Sequence, residues 1–130
     1  MKLWTNDKTV REKLFQECVI KLALKLGYLV FHEYDSRKNG TNHGRGFPDL
    51  VIVGHGRVFF LELKRHRGKT TTEQRDWIFR LQRAGITSFI AVPQDYNSIE
   101  ALLKGHDCEV FLQSKRIDRL VEEDDLPFYD

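Results

Sequence analysis

The chain has 130 residues, 41% hydrophobic and 31% charged, a balance that fits one globular domain with its own core and excludes a disordered or disulfide-stapled chain. No run approaches the roughly 18 apolar residues that span a bilayer, and the opening residues, Met1 to Asp7, lack the apolar stretch of a secretory signal. The formal net charge of +2 neither requires nor excludes a polyanionic partner, but the charge is unevenly placed: basic residues (Arg57, Lys64, Arg65, Arg67, Lys69, Arg75, Arg80, Arg83) outnumber the acids over 57–83, whereas 122–125 are all acidic.

The first predicted element is a helix over about 8–26, capped by Asn6 or Asp7 and ended by Gly27, with Phe15, Cys18, Val19, Leu22 and Leu26 as its apolar stripe. Cys18 thus reads as a core thiol. With Cys108 the only other cysteine, a reducing intracellular setting is expected. Tyr28–Tyr34 reads as a strand, and residues 35–46 as a long polar, glycine-rich loop of the kind that carries function. Two short apolar runs, Pro48–Val53 and Arg57–Lys64, are joined by Gly54-His55-Gly56, which is a hairpin signal. A basic loop, Arg65–Thr70, leads to a helix over about Thr72–Ala84 that ends at Gly85, with Trp77, Ile78 and Leu81 on its core-facing side. Thr87–Val92 is predicted as a strand, Ser98–Lys104 as a short helix and Glu109–Leu112 as a last strand. This order implies an α/β domain with a mixed central sheet flanked by helices.

The hairpin register follows from its turn. If His55-Gly56 is a two-residue turn, Val53 faces Val58, and counting outward places Asp49 directly opposite Glu62. Directly opposed residues have Cβ atoms roughly 4.5–5.5 Å apart. Glu62 and Lys64 project from one face and Leu63 from the other. Asp49, Glu62 and Lys64 therefore converge at one end of one face of a strand pair that is apolar on both sides and is expected to be covered on both. Two facing carboxylates repel each other. Lys64 supplies one compensating charge, and a divalent cation preferring oxygen ligands, Mg²⁺ or Mn²⁺, would supply more. The plainer alternative is a buried ion pair of Lys64 with one acid. The histidines (His32, His43, His55, His66, His106) show no metal-ligand spacing; His43 and His66, in loops beside the site, are the two placed to touch phosphate.

These residues resemble the PD-(D/E)XK nuclease superfamily, with Pro48-Asp49, twelve intervening residues, then Glu62-Leu63-Lys64. The surrounding blocks resemble its virus-type replication-repair nuclease (VRR-NUC) branch. Gly46-Phe47-Pro48-Asp49-Leu50-Val51 is similar to that branch's glycine-any-proline-aspartate strand, and Phe60-Leu61-Glu62-Leu63-Lys64 to its Glu-X-Lys strand. Thr72-Glu73-Gln74-Arg75-Asp76-Trp77, with Leu81 and Ala84-Gly85, is similar to its glutamine-bearing helix, and Glu12 and Gln16 ahead of Leu26-Gly27 to its first helix. The resemblance covers about residues 10–93. It implies a restriction-endonuclease-like αβββαβ core, with a nuclease domain over 1–95 and a helix/strand extension with an acidic tail over 96–130, in the same domain or appended to it.

By that resemblance Asp49, Glu62 and the main-chain carbonyl of Leu63 hold the divalent metal, Mg²⁺ or Mn²⁺. Lys64 positions or activates the attacking water, Gln74 orients the site, and Glu12 is the acid of the first helix, with Glu17 as its competitor. Thr71-X-X-Gln74 is also a capping-box pattern, in which Gln74 serves only the helix end. The reaction implied is phosphodiester hydrolysis in DNA, with backbone contacts from Arg45, Arg65, Arg67 and Lys69, joined by Arg37 and Lys38. No helix is built to read a major groove, so selectivity for DNA shape is expected over selectivity for sequence. Stand-alone domains of this size resemble dimeric Holliday-junction resolvases, which implies a homodimer acting on branched DNA. The alternatives are a nuclease of the same superfamily acting on flaps or linear DNA, and a non-catalytic DNA-binding domain.

Overall fold

The computed structural model describes residues 8–32 and 43–118. The expected caps Asn6 and Asp7, most of the polar loop including Arg37 and Lys38, and the acidic stretch lie outside the described residues. Helix α1 (Glu12–Lys25) starts later than predicted, after Arg11, which offers no side-chain cap. Its buried residues, Phe15, Val19, Leu22 and Ala23, recur at helical spacing. The helix stops as predicted: Gly27 takes φ +89°, and Tyr28 N–H donates to Ala23 O at 3.0 Å, closing a Schellman turn.

Four strands follow that form one sheet: β1 (Leu29–His32), β2 (Leu50–Gly54), β3 (Arg57–Leu63) and, after helix α2 (Thr72–Arg83), β4 (Thr87–Ala91). They lie in the order β1-β2-β3-β4. The first three are antiparallel, and β4 runs parallel to β3. The hairpin turn is the two-residue His55-Gly56, with φ +51° and +75°. Positive φ at both positions is the type I′ geometry, whose twist matches that of the strands it joins. The predicted register results: Leu50 faces Leu61, Val53 faces Val58 and Gly54 faces Arg57.

One face of the sheet is a closed core. Leu50, Ile52, Leu61, Leu63, Phe89 and Ala91 are fully buried there against Phe15 and Val19 of α1. Tyr96, Ile99, Leu102 and Leu103 of helix α3 (Tyr96–Leu103) belong to the same cluster. Each fully buried large side chain contributes about 1.5–3 kcal/mol relative to exposure. Helix α3 starts earlier than predicted because a 3₁₀ turn over Pro93–Asp95 leads into it, with the Asp95 carboxylate accepting from Val92 N–H at 2.9 Å.

Three expectations are corrected. Residues 109–112 are not a strand but part of helix α4 (Glu109–Ser114). Cys108, Phe111 and Leu112, spaced by three and four, pack on the core while Glu109, Val110, Gln113 and Ser114 face solvent, and this helical period overrides the short apolar run. On α2 the buried residues are Ile78 and Phe79 rather than the whole predicted stripe, with Trp77 and Leu81 half-buried. Among the described residues the second face of the sheet is only partly covered. Helix α2 contacts β3 and β4, leaving Leu29, Phe31 and Val53 exposed at 76%, 54% and 43%. Among the described residues no helix is long and apolar enough to cross a membrane.

Arg57 ties the hairpin to α3. Its guanidinium donates to Leu102 O at 2.8 Å, to Leu103 O at 3.0 Å and to the Tyr28 hydroxyl, which itself donates to Leu103 O at 2.6 Å. A cation here satisfies carbonyls at the helix end and complements its dipole. Arg57→Ala removes these charged hydrogen bonds, although Leu102 O keeps Gly105 N–H and Leu103 O keeps the Tyr28 hydroxyl, and is expected to cost roughly 1.5–3 kcal/mol. Urea unfolding should show a lower midpoint with an unchanged slope.

Candidate active site

The I′ turn and the register it imposes bring Asp49 to the mouth of β2, opposite Glu62 on β3. Asp49 Oδ2 accepts the main-chain N–H of Leu63 at 3.0 Å and the side-chain amide of Gln16, from α1, at 3.4 Å. Glu62 is 1% exposed. Its Oε2 accepts from Gln74 Nε2 at 3.0 Å and lies 3.6 Å from Lys64 Nζ, while Oε1 is buried with no hydrogen-bond partner. Lys64 N–H donates to Ala91 O at 2.8 Å, toward β4. In the trans peptide they share, the carbonyl of Leu63 is turned the opposite way, to the side of Asp49.

Gln74 occupies both roles that its sequence position left open. Thr71 Oγ1 accepts from Gln74 N–H at 3.1 Å, and Gln74 Oε1 accepts from Thr71 N–H at 2.8 Å, which completes a capping box. The other end of the same amide donates to Glu62. Helix α2 is seated close enough for this by the segment before Asp49. Gly46, at φ +82°, lies so near the helix start that a Cβ would stand 2.6 Å from the Glu73 carbonyl carbon. Phe47 meets Trp77 and Phe60 edge-on, and Trp77 Nε1 donates to Arg45 O at 3.0 Å. The glycine two residues ahead of Pro48 is therefore a steric requirement of the site.

Burial governs the electrostatics. Removal from water pushes the Glu62 carboxyl from its ordinary 4.5 up to about 8, the charge of Asp49 adds to the rise, and Lys64 opposes it. Asp49 is also raised, first by burial, against the lowering effects of the Leu63 N–H, Glu62, Lys64 and His32. Glu12, on α1 one turn ahead of Gln16, makes the smallest contribution to the rise at Glu62. Glu17 is exposed and has no such effect on either carboxyl.

The structure thus brings together Asp49, Glu62, Leu63, Lys64, Gln74 and Glu12. Arg65, Arg67 and Lys69 are exposed on the loop that leaves Lys64, and Arg45 is exposed at the approach to Asp49. His66 is turned away from the role expected of it: its ring donates to Gln94 Oε1 at 3.3 Å, and its other nitrogen is shielded from solvent. Gln16 and His32 are site neighbours that sequence reasoning gave no role. The spacing of Gln16 four residues after Glu12, on the same helical face, was the available signal. Among the described residues no three His, Cys, Asp or Glu side chains are close enough to hold a metal ion between them, so Glu12 is a neighbour of the pair and not a third ligand. The site offers two carboxylates, one of them with a free buried oxygen, and a carbonyl turned to their side. An oxygen-only set with few protein ligands fits Mg²⁺ or Mn²⁺, which keep several waters when bound.

The fold is that of a PD-(D/E)XK-like nuclease domain. The sequence profile of the nuclease-related domain (NERD) family matches residues 8–121, and the chain belongs to that family. In fold it is similar to a solved VRR_NUC domain, with a TM-score of 0.56 and 22% sequence identity over 74% of this chain and 97% of that one. No curated protein matches the sequence significantly.

The raised carboxyl has a consequence for stability. Between pH 4.5 and about 8 the unfolded chain has released the Glu62 proton that the folded chain still holds, so folding binds protons there and stability falls as pH rises. In the absence of divalent ions the melting temperature should decline from pH 5 to pH 8. Glu62→Gln should flatten that decline, as thermal unfolding across this range would show.

Proposed function

We propose that the protein is a divalent-metal-dependent endonuclease that hydrolyses DNA phosphodiesters and selects branched DNA, the four-way junction foremost. The observation that carries this reading is the facing pair Asp49–Glu62. Its outer oxygens are held by Leu63 N–H, Gln16 and Gln74, while one buried oxygen of Glu62 has no partner. Groups fixed in this way give a cation a site at little reorganisation cost. Asp49, Glu62 and the Leu63 carbonyl would hold Mg²⁺ or Mn²⁺, which supplies polarisation of a phosphoryl oxygen and acidification of a water.

The chain's own groups do the rest. Lys64 is half-buried with its ammonium 3.6 Å from Glu62. It stabilises charge developing on the phosphate and keeps the attacking water in line. Gln74 and Gln16 fix the carboxylate orientations. Glu12 accepts a hydrogen bond from water on the α1 side of the pair. Arg45, Arg65, Arg67 and Lys69 contact backbone phosphates, which orient a duplex without reading its sequence.

Junction selectivity and a homodimer belong to the same reading. One such site cuts one strand, and two opposed cuts call for two sites related by a two-fold axis. Among the described residues strand β1 is an edge of the sheet. Its exposed Leu29 and Phe31, beside Val53, form an apolar strip that suits pairing with a second copy.

Cleavage of a panel of four-way junctions, flaps and linear duplexes with Mg²⁺ and with Mn²⁺ tests the proposal, with light scattering at micromolar concentration for the dimer. Asp49→Asn and Glu62→Gln should abolish cleavage while DNA binding persists. Lys64→Ala should lower turnover by about two or more orders of magnitude, with metal affinity retained. Full wild-type activity in excess chelator contradicts the metal-dependent mechanism. A monomer that cuts only flaps or linear ends contradicts the junction reading and leaves the nuclease intact.

A further inference from the structure

The loop between β3 and α2 has a shape that core packing does not require. None of residues 64–70 is buried, yet their exposure alternates: Arg65, Arg67 and Lys69 face solvent, while Lys64, His66, Gly68 and Thr70 are half-covered. Every outward residue is basic. Gly68 N–H donates to Arg65 O at 2.8 Å, folding the loop back on itself. Arg67 is held at φ +58°, a left-handed conformation that a non-glycine residue adopts only when its surroundings impose it. A Cβ on Gly68 would lie 3.2 Å from Lys64 Cβ, so the fold-back rests directly on the base of the lysine.

Two internal anchors flank this conformation. His66 is turned inward and bonds Gln94, on the 3₁₀ turn beyond the parallel strand β4. That turn is itself fixed, since Asp95 accepts from Val92 N–H at 2.9 Å and from Lys115 Nζ at 2.6 Å. At the other end of the loop, Arg75 of α2 donates to Thr70 O at 2.7 Å and to Thr70 Oγ1 at 2.9 Å. The first anchor carries a cost: His66 Nε2 and Gln94 Nε2 are both buried without partners. An apolar pair would avoid that penalty. Strain and unmade hydrogen bonds therefore coincide in one short loop directly after Lys64, and its three outward side chains are all cationic.

We propose that residues 65–70 are a prebuilt clamp for the phosphates of a DNA backbone, and that His66 and Gln94 are positioning residues that hold Arg65 and Arg67 in the binding conformation without touching the DNA. The proposal rests on the reading of the domain as a DNA nuclease. Holding two long side chains and their backbone in advance removes an ordering cost from binding.

The test is the affinity of a short mixed-sequence DNA duplex in chelator, measured by fluorescence anisotropy over a range of salt concentrations. It uses wild type, His66→Ala, Gln94→Ala, the double variant and Arg67→Ala, each checked by thermal unfolding. Gln94→Met, which keeps the side-chain volume, is a second variant at that position. His66→Ala and Gln94→Ala should each weaken binding about tenfold, with an unchanged salt slope and no further loss in the double variant. Arg67→Ala should reduce the slope by roughly 0.9, the value for one lost phosphate contact. Wild-type affinity in the His66 and Gln94 variants overturns the proposal, as does a reduced slope in His66→Ala, which would make His66 itself a phosphate contact. Failure of the wild type to bind either this duplex or a four-way junction overturns both the clamp and the nuclease reading.

Discussion

Two carboxylates held face to face with little access to water are the constraint around which this domain is organised. Glu62 is 1% exposed, and Asp49, the residue just ahead of β2, approaches it from the side of the neighbouring strand. Like charges in that position repel, and burial adds to the cost of ionising either. The sheet cannot relieve the conflict by slipping, because a shift of one residue would turn Leu61 and Leu63 out of a core in which both are 1% exposed or less. The I′ turn at one end of the hairpin and the apolar face along it fix the pair from two directions. The groups in hydrogen-bond or ion-pair contact with the two carboxylates are donors and a cation: the Leu63 N–H, two side-chain amides and Lys64.

The same economy is visible in how helices α1 and α2 meet the site. An amide has a fixed polarity. Once Thr71 N–H has taken Gln74 Oε1, the NH₂ end must face Glu62, so formation of the helix cap also sets the orientation of a site hydrogen bond. Close contact at Gly46 and the Phe47–Trp77 packing place that cap at the right distance. On the opposite side of the pair, α1 presents Gln16 and Glu12 one turn apart at its N-terminal end. A substitution in either helix would thus act on the carboxylates through orientation as well as through stability.

Much of this was legible in the sequence where a local rule had one solution. A His-Gly pair between apolar runs allowed a two-residue turn, and that alone set which residue of β2 faces which residue of β3. Gly27 and Gly85 marked helix ends through their need for positive φ. What was not legible depended on contacts between distant segments. Whether Glu109–Leu112 would be strand or helix depended on Cys108, Phe111 and Leu112 finding the core at helical spacing. The open face at Leu29, Phe31 and Val53 depended on how far α2 reaches across the sheet. Gln16 near Asp49 and Gln94 against His66 are joined across 33 and 28 positions of chain, with no periodicity to announce them. Gln74 was described by two competing patterns, and both apply because its two amide ends serve different partners.

On this account the Asp49–Glu62 pair is a seat for a divalent cation and not merely a strained ion pair with Lys64. Calorimetric titration of the metal-free protein with Mn²⁺ near pH 8 tests it most directly. Saturable binding of Mn²⁺ by the wild type, with an accompanying rise in melting temperature, and loss of both in Asp49→Asn is the expected result. A wild-type protein that takes up no Mn²⁺, or an Asp49→Asn variant that binds it as well as the wild type does, would contradict it.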